Sequence, residues 1–314
     1  MQGLFANKRT KHAAWFLITA MPLLLAAYMV FQHYRPPLKF GDERTWVDIV
    51  IMNSDVALAL FFLIVSFVPF FLIFGRKPQA RDMVPIAVMA ALGVVGRTVF
   101  AIVPLPNFKP VSAIVIMTGV VFGPESGFLT GALTGFVSNF IFGQGPWTPW
   151  QMFSWGMIGF IAGLLQHAGA FGKIQATGAV RKNVFKSPLW DRLFPENTRR
   201  GDLLAYARSI TGRAPLRLCL FGLATGFGYG WFMNLFYLIG YISPINWKTI
   251  GAVYLSSFFF DLSHGVCTFL VLWAVGEPWT RKLNRVKIKF GLTGEDKRYT
   301  MPPGRQSRRA QECQ

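Results

Sequence analysis

Residues Phe142–Phe153 read FGQGPWTPWQMF and lie between two apolar runs, about 128–142 and 150–171. Gly and Pro punctuate helices, and an amide placed in hydrocarbon costs free energy unless it is satisfied. The stretch therefore marks a point where one membrane helix surfaces and the next begins, with Trp147 and Trp150 at the boundary. A chain that surfaces and re-enters in this way is polytopic, and helices are the elements that satisfy all their backbone groups within one span. The fold class expected is all-α. The same loop could close over a ligand, although indoles also gather at membrane boundaries without binding anything.

Working outward, apolar segments recur along the whole chain: about 13–31, 50–74, 84–103, 110–122, 128–142, 150–171, 216–240 and 250–275. The chain of 314 residues is 53% hydrophobic and only 15% charged. Segments 110–122 and 128–142 are short against the roughly 20 residues a crossing needs. They are expected to be strongly buried short helices or a re-entrant pair joined by Gly123–Gly127, GPESG. The first segment follows Lys8, Arg9 and Lys11 without a small-residue cleavage site, so it is expected to be retained as a helix.

The net charge of +18 would suggest nucleic acid in a soluble protein. Here 26 of the 32 Lys and Arg residues fall in 1–12, 75–82, 172–217 and 276–314, between and beyond apolar runs. The positive-inside rule explains that pattern, places both termini in the cytoplasm and removes the case for nucleic acid. Cys219, Cys267 and Cys313 have no spacing that supports a disulfide framework or a thiolate metal site. Leu203–Arg208, inside a basic stretch, could form an interfacial helix beside anionic lipid. The tail after Gly291 is charged and expected to be disordered.

With this orientation the awkward polar residues collect toward the outside. Asn53 and Asp55 fall near the outer end of the second segment and Arg97 in the outer third of the third. Asn107 and Lys109 lie in the external turn PLPNFKP; Asn139, Gln144, Trp147, Trp150 and Gln151 follow around the next one. Asn234, Tyr237, Tyr254, Ser256 and Ser257 occupy the outer halves of the last two segments, with Asp261 near the midplane and His264 just below. The cytosolic halves carry small residues instead, such as Ala87, Ala90 and Ala91, or Gly156, Gly159 and Gly163. Polar groups within a membrane normally face the protein interior or a wet cavity. An outward-facing pocket ending near the midplane is expected, against the simpler possibility of interhelical hydrogen bonds. Asp261 and His264, three residues apart, share a helical face. They could contact ligand, relay a proton, or form an interhelical clamp with Arg97 as the counter-ion of Asp261; one acid–His pair is too few ligands for a metal.

Neither a phosphate-binding G-x-x-x-x-G-K-[ST] loop nor G-x-S-x-G or H-E-x-x-H occurs, so none of those routes to ATP hydrolysis or catalysis is present. Three phrases carry a family likeness: VPIAVMAALGVVGR (84–97), NFKPVSAIVIMTGVVFGPESGFLTGALTGFVSN (107–139) and FGQGPWTPWQMFSWGMIGFIAGLL (142–165). Together they resemble the core of substrate-binding S components of energy-coupling-factor (ECF) vitamin transporters. The resemblance implies a six-helix core, laid out as 83–171 and 216–275; the two additional N-terminal transmembrane helices expected in 1–82 and the long insert depart from the family. The basic cytosolic insert 172–215 and the basic cytosolic tail 276–314 complete the chain.

The resemblance further implies a non-enzymatic subunit of the inner (cytoplasmic) membrane that captures a vitamin from outside. It would work with a separate transmembrane coupling protein and two ABC-type ATPases, which use ATP, while this chain binds no cofactor itself. Ala87 and Ala91 match the family's Ala-x-x-x-Ala signature, used for docking to the coupling protein. The subtype resembles the cobalamin group, so cobalamin or a related corrinoid is the expected ligand. Substrate contacts are expected from Arg97, Asn107, Lys109, Asn139, Gln144, Trp147, Trp150, Gln151, Asn234, Asp261 and His264. Two other classes remain open: a lipid or isoprenoid enzyme using Asp261 and His264, and a membrane sensor or scaffold.

Overall fold

The computed structural model describes residues 8–34, 45–46, 57–66, 68, 80–171, 214–242 and 244–290. Asn53, Asp55, the basic stretch RKPQARD (76–82) as far as Gln79, the 172–213 part of the insert with Leu203–Arg208, and the tail after Phe290 lie outside these residues. All regular structure among the described residues is helical: α1 (Lys8–Tyr34), α2 (Ala57–Ser66), α3 (Ala80–Val99), α4 (Val111–Phe122), α5 (Pro124–Phe142), α6 (Thr148–His167), α7 (Leu216–Tyr241), α8 (Trp247–Val271) and α9 (Glu277–Phe290). Among them, Ala14–Phe31, Met83–Ile102, Leu216–Tyr241 and Trp247–Lys287 are long and apolar enough to cross a membrane. The chain is an all-α, polytopic membrane protein.

The centre of the bundle is α4. Its sequence, VSAIVIMTGVVF, is apolar on every side, and every residue but Val120 is buried. Twelve residues span only about 18 Å, well short of a hydrocarbon core of about 30 Å. The shortfall is tolerated because α4 is enclosed by protein rather than lipid. Its last turn still leaves carbonyls without helical partners. Lys287 from α9 donates to one of them, Val121 O, at 2.8 Å, which also places a cation at the negative end of the helix.

Segments 110–122 and 128–142 are thus buried helices, but GPESG is not the turn between them. Gly123 alone makes the connection, at φ 106°, a conformation that side chains with a Cβ rarely adopt. Pro124 already begins α5, where its missing N–H costs nothing and its fixed φ suits a first turn.

The small residues noted in this half of the bundle bring α4, α5 and α6 to backbone contact. A Cβ on Gly127 would sit 2.6 Å from Gly159 O, and one on Gly163 would sit 2.5 Å from Pro124 N. Such close approach is how membrane helices gain packing where water supplies no hydrophobic drive. On another side, α1 lays Leu17, Met21 and Leu25 into a cluster with Phe160, Leu164 and Phe236. Spacing of three to four residues puts them on one face.

The last apolar segment does not end near residue 275. Five π-helical residues, Leu272–Gly276, join α8 to α9, giving a continuous Trp247–Lys287 rod of 41 residues. At 1.5 Å per residue this is about 60 Å, twice the hydrocarbon thickness. The basic α9 therefore leaves the membrane, while Trp279 and Leu283 still pack on the core. A π segment inside a helix adds a local irregularity without a break.

Candidate binding site

The polar residues converge at the end of the bundle that carries the α3–α4 and α5–α6 connections. Arg97, in the last turn of α3, is 7% exposed. Its Nη1 donates to Ser138 Oγ at 2.5 Å and to Asn139 Oδ1 at 2.7 Å. Asn139 is fully buried on α5 and donates through Nδ2 to Thr148 Oγ1 and Gln151 Oε1, both at 2.9 Å. Thr148 in turn donates to Gln144 Oε1 at 2.9 Å, and Gln144 Nε2 reaches back to Phe136 O. This chain of bonds ties α3 and α5 to the start of α6. Gly143, at φ 96°, supplies the sharp exit from α5 that lets Gln144 fold back.

Aromatic rings close around the cation. The Arg97 guanidinium lies 4.6 Å from the Phe142 ring centroid and 5.0 Å from that of Trp155. Lys109 Nζ approaches the same Phe142 ring at 4.9 Å. Lys109 stands in the connecting turn, and its pKa is lowered, first by burial and then by repulsion from Arg97. Trp155 stacks on Tyr229 of α7 with centroids 5.0 Å apart, and Tyr229 meets the edge of His264 at 5.0 Å. Tyr229 also contacts Gln151 and lines a cavity of about 270 Å³ between α6 and α7. Phe153, Met157, Ile158 and Phe232 contribute to its largely apolar wall, and Ser154 offers a buried hydroxyl with no hydrogen-bond partner among the described residues.

The expected site residues divide into groups. Arg97, Asn139, Gln144 and Gln151 form one hydrogen-bonded network, with Lys109 beside it. His264 joins through Tyr229, while its Nε2 lies 2.8 Å from Ser112 Oγ of α4. Asn234 and Asp261 form a separate α7–α8 clamp: Asn234 Nδ2 donates to Ser257 Oγ at 2.6 Å, and Ser257 Oγ lies 3.1 Å from Asp261 Oδ2. The Asp261 carboxylate packs against Gly230, so the counter-ion pairing with Arg97 is not formed. Ser257 lies one turn away on α8 and Gly230 leaves room on α7, while Ser138 and Asn139 hold the guanidinium.

Asn107 is exposed in the turn at φ 53° and makes no side-chain bond to the network. Trp147 is half-buried and folds over Gly145. Trp150 is 5% exposed and lies 4.9 Å from Phe232 and 5.6 Å from Phe236, inside the core rather than on its rim. Sequence reasoning missed Ser112, Ser138, Phe142, Thr148, Trp155 and Tyr229. Tyr229 had a signal: a lone phenol in mid-span flanked by Gly228 and Gly230.

Ala87 and Ala91 lie exposed on α3, away from this site, in a stripe with Val84, Val88 and Val95. They contribute nothing to the polar network.

A family model described as "ECF-type riboflavin transporter, S component" matches residues 77–185. A UPF0397 protein of Vibrio atlanticus is 36% identical over 89 residues, covering 27% of this chain and 48% of its own length. A UPF0397 protein of Aliivibrio fischeri is 33% identical over 117 residues, covering 36% of this chain and 57% of its own length. The chain thus spans about half the length of the relatives it matches. No solved structure matches it. The matched span contains α3 to α6, hence Arg97, the network around Asn139 and the exposed Ala87–Ala91 stripe. The resemblance to S components of ECF-type transporters therefore holds over residues 77–185 of this polytopic, all-helical membrane chain.

Proposed function

We propose that this chain is the substrate-binding subunit of an ECF-type importer, taking a vitamin from outside and releasing it inward. The observation that carries this reading is the convergence of Arg97, Lys109, Asn139 and Gln151 with Phe142, Trp155 and Tyr229 at one end of the bundle. Polar groups placed among aromatic walls are the usual make-up of a small-molecule site. In this reading that end faces outward, both termini are cytoplasmic, and the membrane is the cytoplasmic one. The exposed Ala87 and Ala91 stripe on α3 is the docking face for the coupling protein, because small residues let another helix approach closely. Two ATPases supply ATP hydrolysis, and this subunit itself acts by binding.

Cobalamin or a related corrinoid is the specific ligand suggested by the likeness of the FGQGPWTPWQMF stretch (142–153) to the cobalamin subtype. A flavin is the second reading. The ligand named in the matched family model and the stacked Trp155–Tyr229 pair favour it, and a cavity of about 270 Å³ suits a smaller ring system. Asp261 and His264 have separate partners in Ser257 and Ser112, which supports structural or binding roles over a shared acid–base pair. The deciding experiment is co-purification with an ATPase module followed by mass spectrometry of retained ligand. A corrinoid or flavin bound without ATP is expected. A chain that recruits no ATPase and retains a lipid would instead point to an enzyme or scaffold.

A further inference from the structure

Among the described residues, hydrogen-bond donors at the Arg97 site outnumber the acceptors that meet them. Arg97 commits only Nη1, leaving Nε and Nη2 without hydrogen bonds to described residues. Lys109 Nζ has no hydrogen bond or ion pair to any described residue and sits over the Phe142 ring that Arg97 also faces. Trp155 Nε1, on the ring that flanks Arg97, is buried with no hydrogen-bond partner among the described residues. Guanidinium, ammonium and indole N–H can donate but cannot accept. The described carboxylates are placed elsewhere: Asp261 beside Ser257, Glu277 with Arg281, and Glu125 in the first turn of α5 at the opposite end. Two cations around one ring with no carboxylate of a described residue between them repel each other, and burial makes each charge costlier.

We propose that Arg97 and Lys109 form an oxyanion-binding site, so that the ligand of this protein carries a phosphate or carboxylate presented between Phe142 and Trp155. The proposal rests on the binding role assigned above and adds the charge class of the ligand. A bound oxyanion supplies the missing acceptors, neutralises the repulsion and uses the planar guanidinium fork, which matches oxyanions in a bidentate manner. The aromatic rings on either side suit a flat ring attached to that anion.

The test uses the full chain in lipid nanodiscs, with inorganic phosphate and acetate as probes against chloride at constant ionic strength. Thermal unfolding and tryptophan fluorescence are followed as each anion is titrated. Phosphate, acetate or both should raise the unfolding temperature saturably in the unmodified protein. In Lys109→Gln, whose side chain lies in a half-exposed turn and holds no structural bond, the apparent affinity should fall by about tenfold or more, the loss expected for one charged hydrogen bond. Lys109→Arg should restore it. Arg97→Lys keeps a charge but loses the fork that pairs bidentately with carboxylate and phosphate alike, and should weaken both anions. Absence of saturation in the unmodified protein, or equal affinity in Lys109→Gln, overturns the proposal. Vitamin uptake measured in parallel with the coupling protein and ATPases separates the two readings. Uptake without anion binding removes the oxyanion site alone; anion binding without uptake removes the transport role and keeps the site.

Discussion

Asn139 holds the polar end of the bundle together. It accepts from Arg97 and donates to Thr148 and Gln151 while being fully buried. Asn139→Leu has nearly the same volume but leaves those partners unsatisfied, at about 1–3 kcal/mol for a buried group. A lower unfolding temperature together with loss of ligand binding is expected, measured on the same nanodisc sample. A second consequence concerns Lys109. Its folded pKa lies below the unfolded value of about 10.4, so its charge destabilises the empty protein at neutral pH. That penalty disappears as pH rises through the folded and then the unfolded pKa. Lys109→Gln should therefore unfold at a higher temperature than the unmodified protein at pH 7, and the gap should close toward pH 10. A gap that widens with pH would contradict the sign of the shift.

Among elements, the α5–α6 pair separates packing from docking. Gly159 meets Gly127 backbone directly, so Gly159→Val must push the helices apart. Destabilisation of one to several kcal/mol, as for other overpacked sites, should accompany disruption of the Asn139–Gln151 bond that spans the same pair. Ala87 and Ala91 face outward from α3 and touch none of that network. Replacing both by Leu should leave ligand affinity and thermal stability of the isolated subunit close to normal while abolishing co-purification with the coupling protein. Equal loss of ligand affinity would mean the stripe belongs to the binding site. Trp147 in the α5–α6 connection and Trp150 in the first turn of α6 behave differently: Trp150→Ala should lower stability because its ring fills the cluster with Phe232 and Phe236, whereas Trp147→Ala, half-buried, should chiefly alter binding.

For the whole molecule, α1 occupies a face of α6 and α7, whereas the Ala87–Ala91 stripe lies on α3. The N-terminal helix can remain in place while a partner docks. Removing residues 1–34 would expose Phe160, Leu164 and Phe236 to lipid, which costs packing rather than hydration. The expected result is a lower unfolding temperature with the Arg97 network, and so ligand binding, preserved. Topology has its own check. Asn107→Cys as the single cysteine should react with a membrane-impermeant maleimide in intact cells, whereas a variant that keeps only Cys313 should react only after permeabilisation. The reverse pattern would invert the orientation proposed from the basic segments.

What the sequence determined by itself was the class and the ingredients. Apolar runs and the distribution of Lys and Arg are local properties, so an all-helical membrane chain and the family likeness around Val84–Leu165 were legible without coordinates. Arg97, Asn139, Gln144 and Gln151 stood out because polar side chains in apolar runs are costly wherever they end up. Which of them meet was decided only by the tertiary structure. Arg97 and Asp261 are a charged pair that depth would have matched, yet Ser138 and Asn139 hold the guanidinium while Ser257 lies beside the carboxylate. Tyr229 became the junction between network, histidine and cavity because glycines let α7 approach α8 closely, a contact with no trace in hydropathy. The one-residue joint at Gly123 and the continuation of α8 into α9 also escaped a hydropathy reading. Helix ends depend on caps, backbone angles and neighbours such as Lys287, whereas hydropathy reports only where lipid or protein can replace water.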